Sequence, residues 1–174
     1  MHSCCLVIYD PEEMCLDDIL DKFDFNPTDK CWLEFEDRTE DIKQEFEESG
    51  YVDFEKYIKD YGYVKQDGMV GEYFNVNGQF DWYEVGGRWR SFLKLKENLL
   101  NEISVPENLM GDSNYCAYKE DLDIDKTFIS KPFSLIYDYE WYDQYNTVNF
   151  DEFVMEKVNE SDDKYLFVIV DMHC

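Results

Sequence analysis

Residues 80–90 read Phe80-Asp81-Trp82-Tyr83-Glu84-Val85-Gly86-Gly87-Arg88-Trp89-Arg90. This stretch includes two of the four tryptophans and two of the three arginines of the chain, so no other stretch is as dense in distinctive side chains. Alternation along the first six residues predicts a β-strand with two different faces. The glycine pair that follows predicts a point where the backbone takes positive φ or lies close to another group.

A turn signal precedes this predicted strand. Asn77-Gly78 lies between the strand-like pair Tyr73-Phe74 and Phe80. Asn-Gly between two strand-like segments is a strong short-range signal for a β-hairpin. The sequence therefore predicts that residues 80–85 form the second arm of a hairpin.

Two continuous apolar runs lie near opposite ends of the sequence. Residues 4–9 read C-C-L-V-I-Y and residues 165–170 read Y-L-F-V-I-V. Runs of this length and composition predict buried strands. Residues 133–137, which follow Pro132, predict a further strand, and residues 140–142 are expected to pair back onto it.

Apolar residues recur at helical spacing in residues 16–23, 52–61 and 150–158, which predicts three helices. Residues 34–48 predict another helix, with a thin apolar stripe. Together these elements predict an α+β fold with a mainly antiparallel sheet and helices on one face, as a decorated ferredoxin-like arrangement. The chain shows no linker or internal repeat, so a single domain of residues 1–174 is expected.

Carboxylates cover most of the predicted helix of residues 34–48. A solvated helix face explains a charge block of this kind. A second interpretation is a surface that mimics nucleic-acid phosphates, because carboxylates spaced three and four residues apart form a row along a helix. The residues of this predicted partner-binding surface are Glu34, Glu36, Asp37, Glu40, Asp41, Glu45, Glu47 and Glu48.

The formal net charge is −25, from 41 acidic and 16 basic residues. This charge repels nucleic acids and anionic membranes, so neither is expected as a direct partner. Residues 61–110 carry 7 acidic and 5 basic residues, whereas residues 1–60 carry 19 and 6 and residues 111–174 carry 15 and 5. The stretch of residues 80–90 therefore lies in the one nearly neutral segment.

The sequence gives no sign of a metal, a cofactor or a membrane. Its six cysteines form no C-x-x-C pair and no zinc-ligand spacing, and its first residues lack the features of a secretory signal, so free thiols and a cytosolic location are expected. No apolar run approaches the roughly 18 residues that a membrane span requires. Asp171, His173 and Cys174 could in principle form a metal site or a Cys–His pair, but a final-residue cysteine is hard to hold in register, so neither is predicted. No catalytic residue is predicted.

Residues 80–89 resemble the W-D-W-Y-x-x-G-G-R-W signature of a group of small uncharacterised proteins of bacteriophages, prophages and their hosts. Phe80 stands where that signature has tryptophan, which keeps an aromatic ring but removes an indole donor. Similarity extends over nearly the whole chain, through the opening strand, Asp121-Leu122-Asp123, residues 133–141 and Val170-Asp171-Met172-His173. The resemblance implies a phage-related context and no particular chemistry.

Two interpretations of residues 80–90 stay open. In the first, the aromatic residues belong to the core, the glycines form a bulge or tight turn, and Arg88 pairs with a carboxylate. In the second, guanidinium and backbone N–H groups hold an anion while an aromatic ring stacks on a planar base. The residues of this predicted ligand-binding site are Trp82, Tyr83, Gly86, Gly87, Arg88, Trp89 and Arg90.

Three functions of different class follow from these features. The preferred one is a non-catalytic inhibitor whose acidic surface occupies a basic groove on a host defence or nucleic-acid-handling protein. The alternative is a protein that binds or sequesters a nucleotide-like small molecule through the tryptophan, glycine and arginine stretch. The third is a hydrolase of such a ligand. No cofactor is expected for any of them.

Overall fold

The computed structural model describes residues 1–89, 91–96 and 115–173. The chain divides into two compact units: unit 1 comprises Met1–Leu20 and Phe80–Cys174, and unit 2 comprises Asp21–Gln79. The elements, in chain order, are β1 (His2–Tyr9), α1 (Leu16–Asp21), β2 (Leu33–Asp37), α2 (Thr39–Ser49), α3 (Phe54–Tyr61), β3 (Val64–Gln66), β4 (Met69–Asn75), β5 (Trp82–Val85), β6 (Cys116–Tyr118), α4 (Ile124–Thr127), β7 (Ser134–Tyr137), β8 (Glu140–Asp143), α5 (Phe150–Glu160) and β9 (Leu166–His173).

Unit 1 is built on a sheet with the strand order β5-β9-β1-β7-β8, and β6 also pairs with β9. β1 and β9 pair antiparallel along their full length, from His2 opposite His173 to Tyr9 opposite Leu166. Nearly every residue of both strands is buried, as expected of strands covered on both faces. The strands predicted from the two apolar runs are therefore confirmed.

The core of unit 1 joins one face of this sheet to α5. Phe150, Val154 and Val158 follow one another every four residues along α5, so they lie on one side of the helix and are buried. Leu6 of β1 and Phe167 of β9 belong to the same buried cluster. The predicted helix of residues 150–158 and the predicted pairing of residues 140–142 with residues 133–137 are both confirmed.

The α+β class with mainly antiparallel pairing is confirmed, but the strand order differs from the ferredoxin-like arrangement that the sequence suggested. In a split β-α-β unit, the two parallel strands are separated by another strand. Here β1 and β7 are parallel and directly adjacent, with Cys5 opposite Ser134. The connection between them therefore joins neighbouring strands.

Unit 2 contains a three-stranded antiparallel sheet, in the order β2-β4-β3, together with α2 and α3. Its core consists of Ile42 from α2, Tyr57 and Ile58 from α3, and Val70 from β4. α2 ends at Gly50, which takes the left-handed conformation with φ +75°. Gly50 therefore separates α2 from α3.

The predicted hairpin around Asn77-Gly78 is wrong. β4 pairs with β2 and β3, whereas β5 pairs with β9, so the segments on either side of Asn77-Gly78 do not pair with each other. The Asn75 side chain donates to the carbonyls of Lys22 and Asp24, both at 2.8 Å, and accepts from the N–H of Asn77 at 2.9 Å. These contacts hold the turn against residues 22–24 of unit 2.

The predicted single helix of residues 34–48 is also wrong in its first part. Leu33–Asp37 alternates large apolar and acidic side chains and pairs with β4 as β2. The Asp37 carboxylate then accepts from the N–H and the hydroxyl of Thr39, which fixes the start of α2. Glu34, Glu36 and Asp37 therefore lie on a strand, and the other five predicted acids lie in α2.

In the part of the chain that the structure describes, no helix is both long enough and apolar enough to cross a bilayer.

Candidate functional site

The register of three strands brings both histidines of the chain to one place. His2 at the start of β1 lies opposite His173 at the end of β9, and Trp82 at the start of β5 lies opposite His173 on its other side. Directly opposite residues in antiparallel strands project from the same face of a sheet. We refer to this group as the histidine site, which consists of His2, Asp81, Trp82, Arg88, Asp171 and His173.

A buried carboxylate anchors the histidine site. Asp171 in β9 is 1% exposed, and its Oδ1 lies 3.0 Å from Nδ1 of His2. An ionised carboxylate has no proton to donate, so Nδ1 of His2 carries the proton in this contact. Asp171 therefore fixes the tautomer and the orientation of the His2 ring.

The second oxygen of Asp171 is held by the turn after β5. The backbone N–H of Arg88 donates to Oδ2 at 3.1 Å, and Nε of Arg88 lies 3.8 Å from the same oxygen. The Arg88 side chain is nevertheless 65% exposed. Its Nε therefore lies near Asp171, while most of the side chain is exposed to solvent.

The glycine pair has the conformation and the close contacts that the sequence predicted. Gly86 has φ +77° and Gly87 has φ +43°. A Cβ on Gly87 would lie 2.4 Å from Cβ of Asp171, so this position has no room for a side chain. The N–H of Gly86 donates to the carbonyl of Ile169 at 2.7 Å, and the N–H of Arg88 is used by Asp171. These two N–H groups of the turn therefore bind acceptors within the protein, and the anion held by the turn is the carboxylate of Asp171.

The second histidine has its own carboxylate. Nδ1 of His173 lies 2.8 Å from Oδ1 of Asp81, and the N–H of Asp81 donates to the carbonyl of His173 at 3.0 Å. The hydrogen bond from His173 lowers the pKa of the Asp81 carboxyl below its usual value. His173 thus has its Nδ1 committed to an ionised carboxylate, as His2 does.

The three aromatic rings of the site contact one another. The His173 ring stacks on Trp82 with an interplanar angle of 13° and a centroid distance of 5.5 Å. The His2 ring meets Trp82 edge-on at 5.3 Å and His173 edge-on at 5.2 Å. Trp82 remains 44% exposed, so aromatic surface is accessible beside the two imidazoles.

The other residues of the predicted ligand-binding site are placed differently. Tyr83 follows Trp82 in β5 and so projects from the opposite face, where its ring contacts Phe80 and its hydroxyl lies 3.4 Å from Oδ1 of Asp17. Trp89 closes the short 3₁₀ turn Gly87–Trp89 and is 37% exposed. Arg90 lies outside the described residues, as does Cys174.

The predicted acidic surface is largely exposed to solvent. Seven of its eight residues are exposed, and the exception is Glu45. Glu45 and Glu72 accept from opposite ends of the Arg38 guanidinium, at 3.1 and 2.6 Å, and Glu45 also accepts from the hydroxyl of Tyr63 at 2.9 Å. Glu45 therefore belongs to a structural network within unit 2.

Sequence reasoning missed His2 and Asp81 of the histidine site, and it considered Asp171 and His173 only as part of a metal site or Cys–His pair with Cys174. The signal that could have found them is the position of the histidines at the outer ends of the two apolar strands. If those strands pair antiparallel, residues near the start of one meet residues near the end of the other. The alternation of β9 then places Asp171 and His173 on one face.

Comparison of the chain with protein families, curated proteins and solved structures found no match.

Among the described residues, no group of three or more histidines, cysteines and carboxylates is placed to bind a metal ion. The histidine site itself contains imidazole, indole, guanidinium and carboxylate groups. An imidazole held by a carboxylate at Nδ1 can accept a hydrogen bond at Nε2 when neutral and donate one when protonated.

Proposed function

We propose that the protein binds a small anionic ligand with a planar group, such as a nucleotide, at the histidine site. The protein does not convert this ligand to a product. The observation that supports this most directly is the meeting of His2, His173, Arg88 and Trp82 at one place in a chain with a net charge of −25. On such a chain an anion requires a local group of cationic donors. The resemblance to phage-associated proteins and the expected cytosolic location suggest a host-cell nucleotide as the ligand.

Each group has a distinct part in this binding. The exposed guanidinium of Arg88 offers donors suited to a phosphate oxygen. The exposed part of Trp82 offers a surface on which a planar base can stack, an interaction worth about 1–3 kcal/mol per base. Asp171 holds both His2 and the backbone of Arg88, so it fixes the spacing between them.

The test is calorimetric titration with 3′,5′-cyclic AMP, 3′,5′-cyclic GMP and cyclic di-AMP. We expect at least one of these ligands to bind, and Arg88→Gln and Trp82→Leu each to weaken binding by about tenfold or more. Lys43→Gln and Tyr61→Leu are matched controls, because they remove an exposed cation and an exposed aromatic ring from unit 2. Failure of every ligand to bind would overturn the proposal, as would equal losses in the control variants.

Mass spectrometry of the ligand after binding decides between sequestration and turnover. Quantitative recovery of the intact nucleotide is the expected result. Conversion to a product by the wild-type protein, but not by His2→Gln, would instead support the hydrolase interpretation.

A second candidate function is inhibition of a host defence or nucleic-acid-handling protein through the acidic surface of unit 2. The observation that favours it is that Glu34, Glu36, Asp41 and Glu47 are exposed and form no ion pair among the described residues. Unpaired carboxylates of this kind are available to a basic groove on a partner. Binding should then weaken steeply with salt.

This candidate is tested by capture of a partner from host lysate, followed by affinity measurement at low and high salt. The double variant Glu34→Gln, Glu47→Gln should bind more weakly and with a smaller salt dependence. The double variant Asp125→Asn, Glu152→Gln removes the same charge from exposed positions of unit 1 and serves as the control. Salt-independent affinity, or equal effects of the two double variants, would contradict this function.

A further inference from the structure

We infer that the histidine site binds its anion together with protons, so that the ligand is an anion recognised by the imidazolium forms of His2 and His173. This inference rests on the proposed function and specifies the ligand chemistry of the same site. It predicts that affinity for an anion of constant charge falls as the pH rises through the range in which imidazole titrates, about pH 5 to 8.

The hydrogen bonds at Nδ1 fix which ring nitrogen carries the proton. Both imidazoles face a carboxylate there, Asp171 at 3.0 Å from His2 and Asp81 at 2.8 Å from His173. Because each ionised carboxylate can only accept, each Nδ1 must carry a proton. In a neutral ring with the proton on Nδ1, Nε2 is an unprotonated acceptor.

The protonation state of Nε2 decides whether the ring can bind an oxyanion. An oxyanion cannot hydrogen-bond to an unprotonated Nε2, because both atoms present lone pairs. Protonation converts Nε2 into a donor and gives the ring a positive charge, which makes a strong hydrogen bond to an anion possible. Each histidine that contacts the anion must therefore gain one proton before or during binding.

Several other titratable side chains lie on the same face of the sheet as the imidazoles or contact their carboxylates. Among the described residues, these are Asp171 of β9, Asp81 and Glu84 at β5, Arg88 of the turn and Cys4 of β1. Burial, with contributions from Cys5 and Asp171, raises the pKa of the Cys4 thiol, so Cys4 stays uncharged. Among these described side chains, Arg88 is the one cation beside three carboxylates when both histidines are neutral, whereas two imidazoliums raise the number of cations to three.

The geometry tolerates two neighbouring imidazoliums. The ring centroids lie 5.2 Å apart, but each ring has its own carboxylate within hydrogen-bond distance. An anion bound beside both rings would add a further negative charge next to two imidazoliums.

The experiment uses the wild-type protein and 3′,5′-cyclic AMP, because its phosphodiester keeps a single negative charge over the whole range. Dissociation constants are measured by calorimetry between about pH 5.5 and pH 8.5, in two buffers of different ionisation enthalpy. We expect the dissociation constant to rise by up to about tenfold per pH unit for each coupled histidine. We also expect the two buffers to give different heats at about pH 7.5, since binding takes up protons from the buffer.

Three controls make the result specific. Adenosine lacks the anion, so its binding should not depend on pH. His2→Gln and His173→Gln each replace an imidazole by a neutral donor that does not titrate. Each variant should therefore lower the number of protons taken up on binding by about one. Circular dichroism should show that both variants remain folded like the wild type. Lys43→Gln should leave the pH dependence unchanged.

The outcomes separate this inference from the proposed function. Absence of cyclic AMP binding at every pH, together with absence of binding by the other cyclic nucleotides, would overturn both. Binding with the same affinity at all pH values and equal heats in the two buffers would overturn the proton coupling alone and leave the ligand site in place. If another cyclic nucleotide of the series binds and cyclic AMP does not, the same pH series is run with that nucleotide, and a flat profile there also overturns the coupling.

Discussion

The backbone of Gly87 lies against the carboxylate of Asp171 so closely that a Cβ on Gly87 would be 2.4 Å from Cβ and 2.7 Å from Oδ2 of Asp171. The same carboxylate accepts from the N–H of Arg88 and from Nδ1 of His2. The absence of a side chain at Gly87 is therefore what allows the turn after β5 to reach a buried acid. Asp171, in turn, links the turn to the imidazole of His2.

Gly87→Ala should destabilise the protein and weaken ligand binding. The alanine would have to adopt a left-handed backbone conformation, which costs about 1–2 kcal/mol, and its methyl group would also displace Asp171, for which overpacking costs about 1–3 kcal/mol more. Gly50→Ala is the matched control, because Gly50 also has positive φ but a Cβ there would have no atom within 4 Å. Urea unfolding of the two variants measures the difference, and equal losses of stability would show that the contact with Asp171 is unimportant.

The cysteines should differ sharply in their reactivity. Cys15 and Cys31 are exposed, whereas Cys4, Cys5 and Cys116 are buried. Burial raises the pKa of the Cys116 thiol to about 12, so little thiolate is present at neutral pH. Brief treatment of the native protein with iodoacetamide, followed by peptide mass mapping, should therefore label Cys15 and Cys31 first. In a denaturant these five described cysteines should react alike, and rapid native labelling of Cys116 would contradict its burial.

Much of the fold could be predicted because it depends on local sequence patterns. The apolar runs that form β1 and β9 are continuous over the length of a strand, and Phe150, Val154 and Val158 repeat at the spacing of a helix. Such patterns report the burial of a segment regardless of its neighbours. The glycine pair was also informative, because positive φ restricts the choice of residue at that position.

The histidine site and the strand partners could not be predicted in the same way. His2 and Asp171 are 169 positions apart, and nothing local to either residue indicates the other. Asn77-Gly78 gave a hairpin signal, but the side chain of Asn75 binds residues 22 and 24 and thereby forms a different turn. Strand pairing depends on contacts with the rest of the fold, which a short-range signal does not contain.

Asp143 should make stability depend on pH in acid. Burial raises the pKa of its carboxyl, but hydrogen bonds from Trp141, Asn146 and Tyr145 outweigh this effect, and the pKa is lowered overall. A carboxyl with a lowered pKa in the folded state stabilises the fold above its unfolded pKa of about 3.9, and this contribution is lost as the pH falls through the folded value. Asp143→Asn should therefore reduce the free energy of unfolding at pH 7 and reduce it less at low pH.

Urea unfolding of Asp143→Asn at a series of pH values measures this change. Asp41→Asn is the control, because Asp41 is exposed and forms no ion pair among the described residues. A constant difference between Asp143→Asn and the wild type, from neutral pH down to about pH 2, would contradict the assigned direction.

Arg38 should stabilise unit 2 more than an ordinary surface cation does. Glu36 and Glu72 lie directly opposite each other in β2 and β4, where like charges are unfavourable, and Arg38 binds Glu72 at 2.6 Å and Glu45 at 3.1 Å. Arg38→Met keeps most of the side-chain volume but leaves these carboxylates without their cation. We therefore expect the free energy of unfolding, measured in urea, to fall by about 1 kcal/mol or more.

Lys43→Met is the control, because it removes a cation from a single exposed ion pair, and it should lower the free energy of unfolding by about 0.3 kcal/mol. Raising the salt concentration should narrow the difference between the two variants, because screening weakens the repulsion between Glu36 and Glu72. Equal losses at low salt would mean that the carboxylates around Arg38 are already screened by water and that the network contributes nothing beyond a surface ion pair.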